Sequence, residues 1–219
     1  MKKIIYGLLA IIALTIQATA APTLKGPTGL IVVPTAESLK YKEFNVSIDY
    51  NYDPLVDNLD WFYKVNLGTF KNWELGIVGG VVPTEGVYVN AKYYLMSDNT
   101  RYPLSIALGF QGLSSLTESE VYLVASKKFQ DGFRLHLGFT ANFSKEEITP
   151  SVMGGLEYFL SNQTSILADI KGEEKLYLLN AGIRHEIFQD IYLRASAIDI
   201  LNENQDITYS FGISYSHFL

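Results

Sequence analysis

The chain has 219 residues, no cysteine, and 17 basic against 23 acidic side chains. Disulfides, thiol chemistry and thiolate metal sites are therefore excluded, and a nucleic-acid partner would lack its basic footprint. Mean hydropathy is slightly positive at +0.11, yet beyond the first residues no stretch approaches the roughly 18 consecutive apolar residues of a spanning helix.

In chain order, Lys2 and Lys3 form a positive start, Ile4 to Ile16 an apolar run, and Ala18-Thr19-Ala20 an A-x-A cleavage site. Residues 1–20 read as a removed signal peptide, and no cysteine follows that could carry a lipid. Without the leader, 15 basic residues face 23 acidic ones.

Residues 21–41 form a segment of their own. Gly26-Pro27-Thr28-Gly29-Leu30-Ile31-Val32-Val33-Pro34-Thr35-Ala36 is an apolar run bracketed by Gly and Pro. A solvated linker would expose Leu30 to Val33 to water, so the segment is expected to pack on a barrel. The favoured position is the periplasmic mouth; a lumen plug and an extra pairing segment are the alternatives. The motif resembles the Gly-x-x-Gly-Leu-Ile…Pro-Ser/Thr-Ala signature near the mature N-terminus of YjbH-like outer-membrane β-barrel proteins. That resemblance implies a single-barrel relative with a role linked to exopolysaccharide production and secretion.

From residue 42 onward the hydrophobic period is two, the mark of strands with one apolar and one polar face. Phe44, Val46, Ile48 and Tyr50 oppose Glu43, Asn45, Ser47 and Asp49. Similar segments begin at Trp61, Trp73, Val87, Leu104, Val121, Phe133, Val152, Ser165, Leu176 and Ile191. The sixth, Val121 to Phe129, alternates less cleanly. The last, Ile207 to Leu219, carries aromatic residues on one face and ends the sequence on Phe218-Leu219. The fold class expected is all-β: a closed antiparallel transmembrane barrel of about 12 strands over residues 42–219, in a bacterial outer membrane. The last strand is expected to recruit the barrel-assembly machinery.

Connections sort into shorter ones, such as Lys71-Asn72 and Gln189-Asp190, and longer, more acidic ones, such as Asp53 to Asp60, Ser144 to Ser151, Gly172 to Glu174 and Asn202 to Asp206. Strict alternation would make the short set periplasmic turns and the long set extracellular loops. Aromatic-flanked turns at Phe70, Phe129 and Phe188 recur with a step of 59, suggesting three copies of a four-strand unit. Trp61, Trp73, Tyr102, Phe129, Phe133, Phe188, Tyr192 and Tyr215 fall near strand ends, where an interfacial girdle belongs.

By parity the lumen face carries Glu43, Asp49, Glu74, Glu157 and Asp169 with Lys64, Lys92, Arg134, Arg184 and Arg194, beside His136. Such groups must be hydrated or paired, so they line a selective pore or fill a narrow lumen. Arg134, Arg184 and Arg194 could form a basic cluster towards the periplasm. His136 and Glu157 could approach each other, but two ligands make no metal site. The close Ser/His grouping, Ser214 and Ser216 with His217, diverges by parity, so neither an enzyme nor a cofactor is expected. The sequence reads as a small channel or envelope export accessory, its partners being lipid and a small solute or polysaccharide. The alternatives are a structural or adhesion barrel with a filled lumen and, behind it, a lipid-modifying enzyme.

Overall fold

A computed structural model describes residues 21–55, 57–81, 86–97, 103–115, 119–129, 132–144, 147–173, 176–201 and 207–219. The expected leader over 1–20, Tyr102 of the expected girdle, the Asn202 to Asp206 loop and the centre of the Gln130-Asp131 turn lie outside the described residues.

Twelve strands follow one another: β1 (Glu43–Asp53), β2 (Asn58–Gly68), β3 (Trp73–Gly80), β4 (Tyr88–Met96), β5 (Ser105–Gln111), β6 (Ser119–Lys128), β7 (Phe133–Phe143), β8 (Ile148–Phe159), β9 (Thr164–Glu173), β10 (Leu176–Phe188), β11 (Ile191–Ile198) and β12 (Thr208–Phe218). Each pairs antiparallel with its chain neighbours, and β1 pairs with β12 to close the barrel. The closing seam runs from Glu43↔Phe218 to Tyr52↔Tyr209 without a register shift. Closure removes every open edge, which in lipid would leave unpaired backbone groups costing several kcal/mol each.

The period-two pattern assigns the two faces. On β7, Leu135, Leu137 and Phe139 are exposed while Arg134 and His136 are buried; on β12, Phe211, Ile213 and Tyr215 are exposed while Ser210 and Ser216 are buried. An outward apolar surface that runs from strand to strand around a closed sheet is a lipid-facing belt. Aromatic pairs mark its rim near the β2–β3, β6–β7 and β12 ends: Trp73 with Tyr93 at 4.9 Å, Phe129 stacked on Phe133 at 4.4 Å, and Phe44 edge-on to Tyr215 at 5.8 Å between ring centroids. The aromatic-flanked turns recur at β2–β3, β6–β7 and β10–β11, every fourth strand. Asn72 and Asp190 hold the left-handed position of two of them (φ 70° and 68°), which their short polar side chains tolerate.

Two expectations need correction. Connection length does not alternate strictly. The β4–β5 connection spans residues 97–104 at the turn end, whereas β9–β10 leaves only residues 174–175 between strands at the loop end. Strands also continue through residues whose polarity reads as loop: β2 starts at Asn58 and β8 at Ile148, with Pro150 opposite Ala141. Above the lipid a rim residue can be polar and still laddered. Pro150 is tolerated because β9 pairs with β8 only from Val152 onward, so the proline sits where one side of the strand is free.

Candidate functional site

Residues 21–39 do not cap the mouth. They fold back into the barrel and fill it, which corrects the favoured periplasmic-mouth position. Thr23 N–H donates to the Pro27 carbonyl at 2.8 Å, Leu24 N–H to Ile31 at 2.8 Å, Gly29 N–H to Ala21 at 2.7 Å and Leu30 N–H to Val33 at 3.0 Å. This compact double turn needs Gly26, whose φ of 114° is left-handed and whose missing Cβ leaves room for Asn90 and Val78. Below it, Thr35 to Lys42 leads down to β1, where the Leu219 N–H reaches the Lys42 carbonyl at 2.8 Å.

The lumen that receives this plug has two unlike sides. One is apolar: Val33 and Ala36 pack with Ala107, Tyr122, Val124 and Met153, and Leu30 and Ile31 with Leu167. Leu30 occupies the space where a Cβ on Gly155 would stand. Leu30, Ile31 and Val33 are at most 1% exposed, and full burial of each side chain contributes about 1.5–3 kcal/mol.

The other side is charged and grips the plug backbone. Asp169 Oδ2 accepts from the N–H groups of Ile31, Val32 and Val33 at 2.8, 2.9 and 3.0 Å, and its Oδ1 from Asn180 at 2.7 Å. Three successive N–H groups turned to one point form an anion-binding nest, and the barrel wall supplies the anion. Glu74 accepts from Thr28 N–H at 2.8 Å, from Thr28 Oγ1 at 2.7 Å and from Leu39 N–H at 3.1 Å. Lys92 lies 3.5 Å from Glu74 and donates to the carbonyls of Thr28 at 2.9 Å and Glu37 at 2.6 Å. Lys64 pairs with Asp49 at 2.6 Å and donates to the Thr23 carbonyl at 2.8 Å. Arg194 also pairs with Asp49 and donates to the Pro22 carbonyl at 2.6 Å. Irregular backbone inside a barrel must find such partners, because no water-rich surface serves it.

All nine residues singled out as lumen-lining are buried within the barrel: Lys64, Glu74, Lys92, Arg134, His136, Glu157, Asp169, Arg184 and Arg194. Five of them, Lys64, Glu74, Lys92, Asp169 and Arg194, hydrogen-bond to the plug. Arg134 and Arg184 converge on Glu157 instead, so the three arginines do not present a free basic cluster. Arg194 faces Arg184 in register but turns to Asp49. His136 accepts or donates at Ser126 Oγ, 2.7 Å away, and its Nδ1 lies 3.9 Å from Glu37. Burial alone would raise the Glu37 carboxyl, but the nearby His136 and Arg134 charges outweigh it and hold it below its ordinary value.

Ser126 and His136 are cross-strand partners, so the close buried Ser/His pair is this one rather than Ser214 or Ser216 with His217. Ala36 N–H donates to Ser126 Oγ at 2.9 Å, which ties the pair to the plug. His217 sits at the rim against Asp190 at 2.9 Å. Among the described residues, no three His, Cys, Asp or Glu side chains gather as a metal site.

Parity places Tyr122 inward, but sequence reasoning missed the apolar seat it joins. Ala107, Tyr122, Val124, Met153 and Leu167 all fall on inward parity, and the weak alternation of β6 was its visible sign. The network of Glu120 with Lys171, Thr140 and Gln111 was missed too, because the sixth strand reads only from Val121 onward and leaves Glu120 outside it.

A closed twelve-strand barrel with a lipid-facing belt and a polar lumen defines the class: a transmembrane β-barrel of the bacterial outer membrane. Solved structures agree on the fold. The barrel is similar to the KdgM porin (TM-score 0.59, 15% identity, covering 79% of this chain and 99% of that one), which is also known in complex with disordered oligogalacturonate. It is similar to the NanC porin (TM-score 0.56, 12% identity, covering 80% and 99%). No family model and no curated protein matches the chain.

Proposed function

We propose that the protein is an outer-membrane channel held shut by its own N-terminal segment, which must leave its seat for small hydrophilic solutes to pass. The observation that carries this reading is how the plug is held. Its backbone hangs on charged wall side chains, Asp169, Glu74, Lys92, Lys64 and Arg194. With the plug gone those groups would face an open lumen that water fills readily, and they would set the solute preference. A wall meant to stay filled has no need of so many ions, since buried pairs are often replaceable by apolar packing at no loss of stability. The export role implied by the Gly26 to Ala36 resemblance would use the same passage. Lipid surrounds the belt, and the aromatic β12 strand is the element proposed to meet the assembly machinery.

The second reading, a structural barrel with a permanently filled lumen, draws on the apolar seat of Val33 and Ala36. Planar-bilayer recording of the purified protein with and without residues 21–41 separates the two. Steady channels in the truncated form and brief ones in the full chain support the gated channel. Electrical silence in both, in protein shown to be folded, supports the structural barrel.

A further inference from the structure

Above the plug, at the loop end of the barrel, lies a cavity of about 290 Å³ whose floor is the seated plug itself, through Leu24, Lys25 and Val32. That is close to the lower bound of roughly 300 Å³ for small-molecule sites. Leu24, Val32 and Ile198 are half-buried. They lean on Leu30, Ile31 and Leu167 and line the cavity with the surface that remains open. Phe62 on β2 and Val78 on β3 continue the apolar wall.

One charge meets this apolar surface. The Lys25 side chain is 41% exposed, so its ammonium is open to a ligand, and its contact with Glu120 is a loose one of 4.0 Å. Glu120 is already answered from the wall by Lys171, Thr140 and Gln111. Lys25 therefore brings a surplus positive charge to the floor. Tyr88 and Thr208 line the same space, and their hydroxyls can donate to an anion. The combination selects by exclusion. An ammonium ligand meets a like charge. A neutral apolar ligand covers the Lys25 ammonium and gives it no partner, which costs free energy. A small hydrated anion leaves Leu24, Val32 and Ile198 wet, and the acidic loops around the mouth repel it.

We infer that this vestibule binds a small organic anion: a single carboxylate on a compact apolar body, its charge on Lys25 and its body on Leu24, Val32 and Ile198. The ligand binds only while the plug is seated, because plug residues make the floor. By linkage it holds the plug in its seat. The site goes beyond the gated-channel reading and exists whether or not the plug ever moves.

The test is fluorine NMR of 4-(trifluoromethyl)benzoate added to the full mature chain in neutral detergent micelles. The uncharged 4-(trifluoromethyl)benzamide is the comparison of the same shape, and empty micelles give the background. Broadening of the benzoate signal beyond background, and beyond that of the amide, is expected. Lys25→Met keeps an unbranched stem without the charge. It should weaken benzoate binding about tenfold, the worth of a charge-assisted hydrogen bond, and leave the amide unchanged. Ile198→Trp fills the cavity from the wall and should return both signals to background. Heat-modifiable gel mobility certifies the barrel in each variant, and protease resistance of residues 21–41 certifies the seated plug. A benzoate signal at background in the wild-type protein, equal binding of benzoate and amide, or benzoate binding unchanged in either variant overturns the site. The wild-type comparison of benzoate with amide decides it even where a variant loosens the plug. Because binding is read with the plug seated, failure here leaves the bilayer result standing, and electrical silence there leaves this one standing.

Discussion

Asp169 is the sharpest point at which to disturb the plug. Its Oδ2 alone satisfies three consecutive backbone donors, Ile31, Val32 and Val33, at 2.8 to 3.0 Å. Asp169→Ala leaves all three N–H groups buried without an acceptor. At about 1 kcal/mol for each unmet donor, the low end of the penalty, the seated state loses about 3 kcal/mol. When the plug is out those donors are hydrated, so the loss falls on the seated state alone. A change of that size raises the unseated population about two orders of magnitude. Asp169→Asn keeps one acceptor oxygen and should fall between wild type and alanine. The assay is opening frequency in planar bilayers, backed by the rate of limited proteolysis within residues 21–41. Wild-type opening frequency and protease resistance in folded Asp169→Ala would refute the reasoning that the nest holds the plug.

Further expectations follow from the same geometry. Gly155→Val places a side chain where Leu30 sits, and should speed proteolysis of the plug while leaving the barrel heat-modifiable. Because the Glu37 carboxyl is held below its ordinary value in the seated state, its stabilisation of the plug is full above the ordinary value of 4.5 and fades as pH falls through the lowered one. Openings should thus become more frequent in acid, and Glu37→Gln should blunt that response; an unchanged pH profile would contradict it. Deleting Phe218 and Leu219 removes the Leu219 N–H bond to the Lys42 carbonyl and one rung of the seam at Glu43↔Phe218, and should leave unassembled protein in the periplasm. A cysteine at Glu147 should label from outside the cell and one at Asp190 from the periplasm; the reverse would invert the barrel's orientation.

The barrel was legible because lipid imposes a strict rule: one face of every strand must be apolar, and the chain shows it from Phe44 to Phe218. The lumen charges were legible by the same parity, as Lys64, Glu74 and Lys92 illustrate. Their partners were not. Parity places Asp169 inward but says nothing of the three N–H groups that meet it, because those belong to a segment some 136 to 138 residues away in sequence. The plug itself was visible as an apolar run that water would reject, yet its depth depended on Ala107, Val124 and Met153 making an apolar seat. In strands meant to have a polar inner face, those residues read only as irregular alternation. Loop lengths misled for a different reason: above the lipid, hydrogen-bonded strands such as β8 no longer need the alternation that reveals them.

The central claim, that conduction requires the plug to leave its seat, is tested most directly by a reversible lock. Ala36 N–H lies 2.9 Å from Ser126 Oγ, and the chain has no cysteine of its own, so Ala36→Cys with Ser126→Cys can tie the plug to β6 and nowhere else. Single-channel recording of this variant should show openings under reducing conditions, their loss on oxidation and their return on reduction. Openings that persist unchanged in the fully oxidised protein would contradict the account.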